Sequence, residues 1–225
     1  MSERATEYAV KLADAAAQLG INLSATQQDL LLQYIAMIGK WNKVYNLTAL
    51  RDPAEMFSHH LLDSLAAVPP LQKHLQGRAQ TKNTSAQLLD VGSGAGLPGV
   101  VFAICCPELT VRCVDTVGKK AAFVQQVAVE LKLANLRGIH ARVESLTDKY
   151  DVVSSRAFAS LLDFSTWSRS ALADDGVWFA MKGKTPTEEQ AALPADVQVF
   201  HVEQLQVPGL DAERCIVWLR KTQVG

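Results

Sequence analysis

The apolar residues of the first eighty positions recur at helical spacing. Ser24, followed three residues later by Gln27, has the form of a capping box, which is a common start of a helix. The apolar face that follows consists of Leu30, Leu31, Tyr34, Ile35, Ile38 and Trp41. These intervals predict an amphipathic helix, although Gly39 lies inside it and is a poor helix former.

A second helix start lies at Asp52-Pro53-Ala54-Glu55, where a capping residue precedes proline at the first helical position. Its apolar positions are Met56, Phe57, His60, Leu61, Ser64, Leu65 and Val68. We expect Pro69-Pro70 to end this helix, and residues 76 to 87 are polar and without periodicity. The sequence therefore predicts two domains, a helical N-terminal extension over residues 1–82 and a second domain over residues 83–225.

Beyond this connector, the pattern changes to strands that alternate with helices. The predicted strands are Gln87–Val91, Leu109–Val114, Leu136–His140, Tyr150–Ser154, Val177–Met181, Val197–Leu205 and Arg214–Arg220. The predicted helices are Gly99–Cys105, Lys119–Leu131, Ser160–Leu172 and Pro186–Leu193. Alternation of this kind predicts an α/β fold with a mainly parallel, seven-stranded sheet. The last two strands have only a short link, so we expect them to pair antiparallel at one edge.

Composition narrows the class of protein. The chain has 225 residues, of which 48% are hydrophobic and 20% charged, with a formal net charge of −1, as in soluble globular proteins. No apolar run approaches the ~20 residues that span a bilayer, and the N-terminus lacks the apolar stretch of a secretory signal. The cysteines show no paired spacing and no neighbouring histidine. We therefore expect reduced thiols, no metal site, no membrane contact and a cytoplasmic protein.

Charged residues stand at the carboxyl ends of the first four predicted strands. Asp90 and Asp115 end the first two strands, Glu144 follows the third, and Arg156 follows the fourth. In an open parallel sheet these ends meet at the edge where ligands bind. Four such residues beside a glycine loop favour a binding site over a chance accumulation of charges.

The loop after the first strand, in the segment LLDVGSGAGLPG, is compatible with two cofactors. Gly94 to Gly99 match the GxGxxG pattern of dinucleotide-binding proteins, and Asp115 follows at a suitable interval for a ribose hydroxyl, so an NAD(P)-dependent oxidoreductase is one interpretation. Against it, the glycines begin at Gly92, and Asp90 would place a negative charge beside a pyrophosphate. A carboxylate there suits a ligand with an ammonium group, which favours S-adenosylmethionine. A nucleic-acid-binding module without activity is a third hypothesis.

Signals for RNA binding are weaker. Arg156 is expected to contact the cofactor or RNA rather than form a structural ion pair, and Lys182, which ends the fifth strand, is a second candidate RNA contact. His60 and Trp41 lie on apolar helix faces, where packed side chains are commoner than catalytic ones. Trp41, Tyr45 and Asn46 are candidates to cover the cofactor or to contact RNA.

Several segments together resemble one family. The glycine loop resembles motif I of class I methyltransferases, in the variant that ends GLPG. Four further segments lie before and after it in the same order as in that family: WNKVYNLT at 41–48, HLLDS at 60–64, SSRAFA at 154–159 and MKG at 181–183. From about residue 24 onward, the chain is similar to the GidB (RsmG) family of bacterial 16S rRNA guanine-N7 methyltransferases. The resemblance implies a Rossmann-like class I methyltransferase domain behind a helical extension, with S-adenosylmethionine as methyl donor.

The resemblance also implies a set of cofactor-binding residues. The family's cofactor contacts correspond here to Gly92, Leu97, Val143, Glu144 and Arg156. Asp115 holds the position of the acid that contacts the ribose in class I enzymes generally. Together with Asp90 and Gly94 of the loop, these residues form the predicted cofactor site.

The acceptor that the resemblance implies is N7 of guanine 527 of 16S rRNA, in the usual bacterial numbering. The rRNA would be presented within the small ribosomal subunit or an assembly intermediate to a monomeric enzyme. Guanine N7 has a lone pair and no proton, so direct in-line attack needs no general base, and we assign no catalytic acid or base. The segment after the fourth strand reads SSRAF, without the Asn-Pro-Pro-Tyr pattern typical of enzymes that methylate exocyclic amines.

Overall fold

The computed structural model describes residues 3–79, 84–158 and 160–222. Its first helices are α1 (Glu3–Gln18) and α2 (Ala25–Tyr45). The predicted capping box is confirmed, because the Gln27 amide donates to Ser24 Oγ at 3.2 Å and the Ser24 amide donates to Gln27 Oε1 at 3.0 Å. Helix α2 continues through Gly39 and ends at Asn46, which has a left-handed backbone with φ 50°.

The second predicted helix begins as expected and then departs from regular α-geometry. Asp52 caps it by accepting hydrogen bonds from the amides of Ala54 and Glu55. Its parts are α3 (Pro53–Met56), π-helical turns over Phe57–Leu62 and α4 (Asp63–Ala66). Turns of the π type often mark functional sites, and this one carries two histidines.

The expectation that Pro69-Pro70 end the helix is wrong. The break comes at Ala67, and both prolines lie in the first turn of α5 (Val68–Ala79). Proline is tolerated there because the first amides of a helix have no intrahelical acceptor. Helix α5 also occupies the start of the stretch predicted to be a polar connector. The predicted domain boundary between residues 82 and 83 falls outside the described residues.

The predicted sheet is confirmed. Its strands are β1 (Gln87–Val91), β2 (Thr110–Asp115), β3 (Leu136–His140), β4 (Tyr150–Arg156), β5 (Leu172–Lys182), β6 (Val197–Leu205) and β7 (Arg214–Lys221). Their order is β3-β2-β1-β4-β5-β7-β6, with β7 antiparallel to both of its neighbours and the other pairs parallel. The antiparallel pair therefore lies at one edge as expected, although the reversed strand is β7 and the outermost strand is β6. Strand β5 begins five residues earlier than predicted, because Leu172 pairs with Tyr150 across a register shift.

Helices cover both faces of the sheet. The remaining α-helices are α6 (Gly99–Cys105), α7 (Gly118–Glu130), α8 (Leu161–Trp167) and α9 (Thr187–Ala191), and short 3₁₀ helices lie at Val143–Ser145 and Arg169–Ala171. The N-terminal helices share one hydrophobic core with α6, α7 and one face of the sheet, whereas α8 packs on the opposite face. None of the described helices is long and apolar enough to cross a membrane.

The strand order reverses between β1 and β4, which makes a crevice at their carboxyl ends. This reversal point is where open α/β sheets bind ligands. The glycine loop leaves β1 on one side of the crevice, and Arg156 ends β4 on the other. The topology thus brings together the residues that the sequence places at strand ends.

Candidate active site

The glycine loop is held in its shape from two sides. Gly92, Gly94 and Gly96 have φ values of 65°, 58° and 91°, which side-chain-bearing residues rarely adopt. The Gly94 amide donates to Asp115 Oδ2 of β2 at 3.0 Å. On the other side, the buried hydroxyl of Tyr34 in α2 donates to the Ala95 carbonyl at 2.8 Å. The N-terminal helices therefore take part in building the loop, a role that the apolar spacing of Tyr34 did not reveal.

The structure changes the role expected of Asp90. Its side chain is fully buried, with 0% exposure, and lines neither of the cavities described below. Asp90 Oδ2 accepts from the Gly99 amide at 3.0 Å, and Oδ1 accepts from Ser154 Oγ at 2.9 Å. Burial raises the pKa of this carboxyl to about 7 despite these two hydrogen bonds. Asp90 thus joins the loop, α6 and β4, and it does not face a ligand's ammonium group.

Asp115 lines a cavity of about 350 Å³ beside the loop. The cavity is also lined by Gly92, Val143, Glu144, Phe158 and Trp167. The two carboxylate oxygens of Asp115 accept from the amides of Gly94 and Val117, which fixes the carboxylate at the cavity wall. Each oxygen has a second lone pair, so a hydroxyl of a ligand can still donate to it. The predicted residues Asp115, Val143 and Glu144 are therefore brought together.

A larger cavity of about 490 Å³ lies on the other side of the loop. Its wall includes Thr48, His60, Asp63, Gly92, Gly94, Leu97, Arg156, Lys182 and Arg214. The N-terminal helical region, the glycine loop and the ends of β4, β5 and β7 all contribute to it. The predicted residues Gly94, Leu97, Arg156 and Lys182 are thus together here.

The two cavities meet at Gly92, which lines both of them. A Cβ atom added at Gly92 would lie 3.7 Å from Cδ2 and Cε2 of Phe158, in van der Waals contact, so a larger side chain would fill the junction. This arrangement fits S-adenosylmethionine, which joins a nucleoside to an amino acid. Asp115, Val143 and Glu144 would hold the nucleoside part, and Gly92, Gly94, Leu97 and Arg156 the amino-acid part.

Arg156 takes part in an ion-pair cluster on the wall of the larger cavity. Its Nη1 donates to Asp63 Oδ2 at 3.1 Å and to the His59 carbonyl at 2.9 Å. Arg214 Nε donates to the other oxygen of Asp63 at 2.7 Å. The Asp63 side chain is only 5% exposed and forms ion pairs with both guanidinium groups, so the cluster has an excess of one positive charge. Arg156 is therefore ion-paired, contrary to the sequence-based expectation, and because it also lines the cavity, its contact with cofactor or RNA stays a prediction.

His60 is a neutral hydrogen-bonding residue of this wall. Its Nε2 lies 2.7 Å from Thr48 Oγ1, and its Nδ1 lies 3.4 Å from Nη2 of Arg156. Because an arginine can only donate, Nδ1 accepts and Nε2 carries the proton. Burial and the adjacent Arg156 charge lower the pKa of His60 to about 4. The side chain is packed and hydrogen-bonded, as its place on an apolar helix face suggests.

The other candidates also have partners. Lys182 Nζ donates to both carboxylate oxygens of Glu189, at 2.8 and 3.1 Å. Trp41 packs in the core against Phe123 of α7, with ring centroids 5.4 Å apart, as expected. Asn46 Oδ1 accepts from Arg51 and does not line either cavity.

Asp90 and His60 are expected to have opposite effects on the pH dependence of stability. The folded protein releases the Asp90 proton at about pH 7, later than the unfolded chain, so this group lowers the free energy of unfolding as the pH rises from about 4 to 7. The folded protein protonates His60 only near pH 4, so this group raises the free energy of unfolding as the pH rises from about 4 to 6.5. In the wild type the two effects partly cancel.

Single substitutions should separate the two effects. Relative to the wild type, Asp90→Asn should become more stable as the pH rises from about 4 to 7, and His60→Gln should become less stable from about 4 to 6.5. We expect changes of about 1–3 kcal/mol in urea unfolding followed by circular dichroism. Variants whose pH dependence matched that of the wild type would contradict both assignments.

The fold is that of Rossmann-like, class I methyltransferases, and the two joined cavities fit the S-adenosylmethionine that this class uses. Solved structures share this fold. An S-adenosylmethionine-dependent methyltransferase from Aquifex aeolicus aligns with a TM-score of 0.51 and 15% identity, over 75% of this chain and 97% of that one. TrmN from Thermus thermophilus aligns with a TM-score of 0.52 and 17% identity, over 74% of this chain and 53% of that one.

Sequence comparisons assign the family within this class. The family model for GidB, rRNA small subunit methyltransferase G, matches residues 27–217, and the chain belongs to this family. A relative from Acidovorax sp., named ribosomal RNA small subunit methyltransferase G, is 65% identical over 217 residues, covering 96% of each chain. One of the same name from Polaromonas sp. is 67% identical over 202 residues, covering 90% of this chain and 88% of that one. The cofactor is therefore S-adenosylmethionine, and the NAD(P) interpretation of the loop is wrong.

Proposed function

We propose that the protein transfers a methyl group from S-adenosylmethionine to N7 of guanine 527, in the usual bacterial numbering, of 16S rRNA. Relatives named ribosomal RNA small subunit methyltransferase G support rRNA as the substrate. In this proposal the enzyme works as a monomer in the cytoplasm, on rRNA in the small ribosomal subunit or an assembly intermediate.

The observation that carries the proposal is the state of three ionisable groups on the larger cavity's wall, His60, Asp63 and Lys182. His60 is neutral with both ring nitrogens engaged, Asp63 is ion-paired to two arginines, and Lys182 is ion-paired to Glu189. Each is poorly suited to remove a proton from an acceptor. When bound, S-adenosylmethionine supplies an electrophilic methyl group, and guanine N7, which has a lone pair and no proton, can accept it without a base.

The chain's contribution under this proposal is to position the reactants and to exclude water. The Asp115 carboxylate and the backbone at Gly92 hold the cofactor, and the ion-pair cluster keeps Arg156 fixed at the cavity wall. Leu97 and Met181 add apolar surface to the same wall. Well-oriented reactants can gain about 7–11 kcal/mol relative to reaction in solution, which is enough to dispense with acid–base groups.

Methylation of small subunits tests this proposal. We expect the enzyme to transfer label from S-adenosylmethionine to subunits from cells that lack the activity, and borohydride and aniline treatment should then cleave the 16S rRNA at guanine 527. Naked 16S rRNA in a parallel reaction shows whether the particle is required. Subunits from cells that have the activity are the control, because their N7 position is already methylated. Label at another nucleotide, or label without aniline cleavage, would overturn the N7 assignment.

A further inference from the structure

A separate depression of about 440 Å³ lies between α1, α2 and α3. Its apolar floor includes Tyr8, Ile35 and Phe57, and the rings of Tyr8 and Phe57 lie 4.8 Å apart between centroids. Lys40 and Lys43 of α2 and Arg51 stand around it. We call this depression, defined by these six residues together with Gly39, the basic hollow.

The rim of the basic hollow is positively charged. Lys40, Lys43 and Arg51 are all exposed, and within the described ranges no ion pair joins them to a carboxylate. Arg51 donates instead to the neutral side chain of Asn46 at 2.8 Å. Among the residues that the structure describes, no acidic one lines the hollow, and the nearby Asp52 carboxylate caps α3. Three positive charges therefore surround an apolar depression.

Gly39 keeps the basic hollow open at a cost to stability. It lies inside α2, where glycine is about 1 kcal/mol less favourable than alanine. Its backbone is helical and a Cβ atom there would meet no other atom within 4 Å, so neither backbone geometry nor packing requires glycine. Its missing side chain leaves space at the hollow's wall. A binding partner that enters the hollow would explain why that space is kept.

We infer that the basic hollow binds an unstacked nucleotide of the RNA substrate. Its base would contact the partly exposed ring of Tyr8, which packs on the buried Phe57, and the flanking phosphates would contact Lys40, Lys43 and Arg51. Proteins recognise single-stranded RNA by this combination of ring contact and phosphate-binding cations. The inference rests on the proposed function, because it takes rRNA as the substrate.

The basic hollow lies close enough to the larger cavity for one RNA strand to contact both. Thr48 lines the larger cavity of the active site, and Arg51 stands on the rim of the hollow. Three residues span at most about 10 Å of extended chain. An RNA strand whose guanine enters the cavity can therefore place a nearby nucleotide in the hollow.

Gly39→Leu tests the apolar part of the hollow. Leucine should stabilise α2 and fill the space beside Gly39, so the melting temperature should be unchanged or higher while the KM for small subunits rises about tenfold or more. The dissociation constant for S-adenosylhomocysteine, measured by calorimetry, should not change. Gly77→Leu is the matched control, because Gly77 lies in α5 and its Cβ position is also open. An unchanged KM for Gly39→Leu would overturn the inference.

Removal of the rim charges tests the phosphate contacts. In the variant with Lys40, Lys43 and Arg51 changed to glutamine, binding to 16S rRNA should depend less on salt. The slope of log K against log salt concentration should be smaller in magnitude by about two to three. The control changes the exposed Lys119, Lys132 and Arg137 to glutamine, which removes the same charge elsewhere. Equal losses in both variants would overturn the inference. Failure of the wild type to methylate small subunits would instead refute the proposed function.

Discussion

Gly92→Val is expected to weaken S-adenosylmethionine binding at least about 100-fold without unfolding the protein. Gly92 lies where the two cavities of the candidate active site meet, and its added Cβ would already be 3.7 Å from the Phe158 ring. The two further methyl groups of valine would occupy the junction through which the cofactor must extend. A left-handed backbone with φ 65° adds about 1–2 kcal/mol of strain for a residue with a side chain.

Gly209→Val separates loss of space from backbone strain. Gly209 has a similar φ of 72° but lies in the turn between β6 and β7, where a Cβ would meet nothing within 4 Å. This variant should lose a similar amount of stability and should bind S-adenosylhomocysteine as the wild type does. Calorimetry measures the two affinities, and thermal unfolding measures the two stabilities. Normal binding by Gly92→Val would show that the cofactor does not pass this junction.

Most of the sheet could be predicted because its signals are local. Each strand is a short apolar run bounded by turn residues, and five of the seven strands begin at the predicted residue. The capping signals at Ser24 and Asp52 likewise depend on neighbours within three residues. The prediction that Pro69-Pro70 end a helix was wrong because prolines occur both after the end of one helix and in the first turn of the next. Only the position of the break, at Ala67, distinguishes the two cases.

The contacts between distant elements could not be predicted in the same way. Tyr34 looked like one more apolar position, although its hydroxyl holds the glycine loop from 61 residues away. Arg214 was missed although topology contains a signal for it. Because β7 runs antiparallel to β5, it begins at the carboxyl end of β5, where Cys215 pairs with Lys182 and Arg214 directly precedes that pair. An antiparallel strand therefore contributes its beginning to the site where parallel strands contribute their ends.

These long-range contacts make the N-terminal helical region part of the candidate active site. Tyr34 holds the loop that separates the two cavities, and one side of the larger cavity is lined by Thr48, His60 and Asp63. The larger cavity would lack one side if this region were absent. Among the described residues, the smaller cavity is lined only by those of the sheet and of the loops and helices between its strands, whereas the larger one also depends on the region that precedes the sheet.

Asp63→Ala should be the most destabilising change among the ion pairs. The carboxylate is 5% exposed, and its loss leaves the guanidinium groups of Arg156 and Arg214, which are 18% and 24% exposed, without a shared counter-charge. Removal of one partner from a buried ion pair typically costs about 3–5 kcal/mol. At about 2–4 °C per kcal/mol for a chain of this size, the melting temperature should fall by roughly 6–20 °C.

Asp196→Ala is the matched control, because Asp196 pairs with Arg169 on the surface and both side chains are 41% exposed. An exposed pair contributes about 0–1 kcal/mol, so this variant should unfold near the wild-type temperature. Asp63→Asn keeps the shape of the side chain but loses its charge, and we expect it to lie between the other two. At a temperature where all variants are folded, Asp63→Asn should also methylate more slowly, because Arg156 would lose the partner that holds it at the cavity wall. If Asp63→Ala were no less stable than Asp196→Ala, the ion-pair cluster would contribute no more to stability than an exposed surface pair. Its position between the helical region and the sheet would then not stabilise the fold.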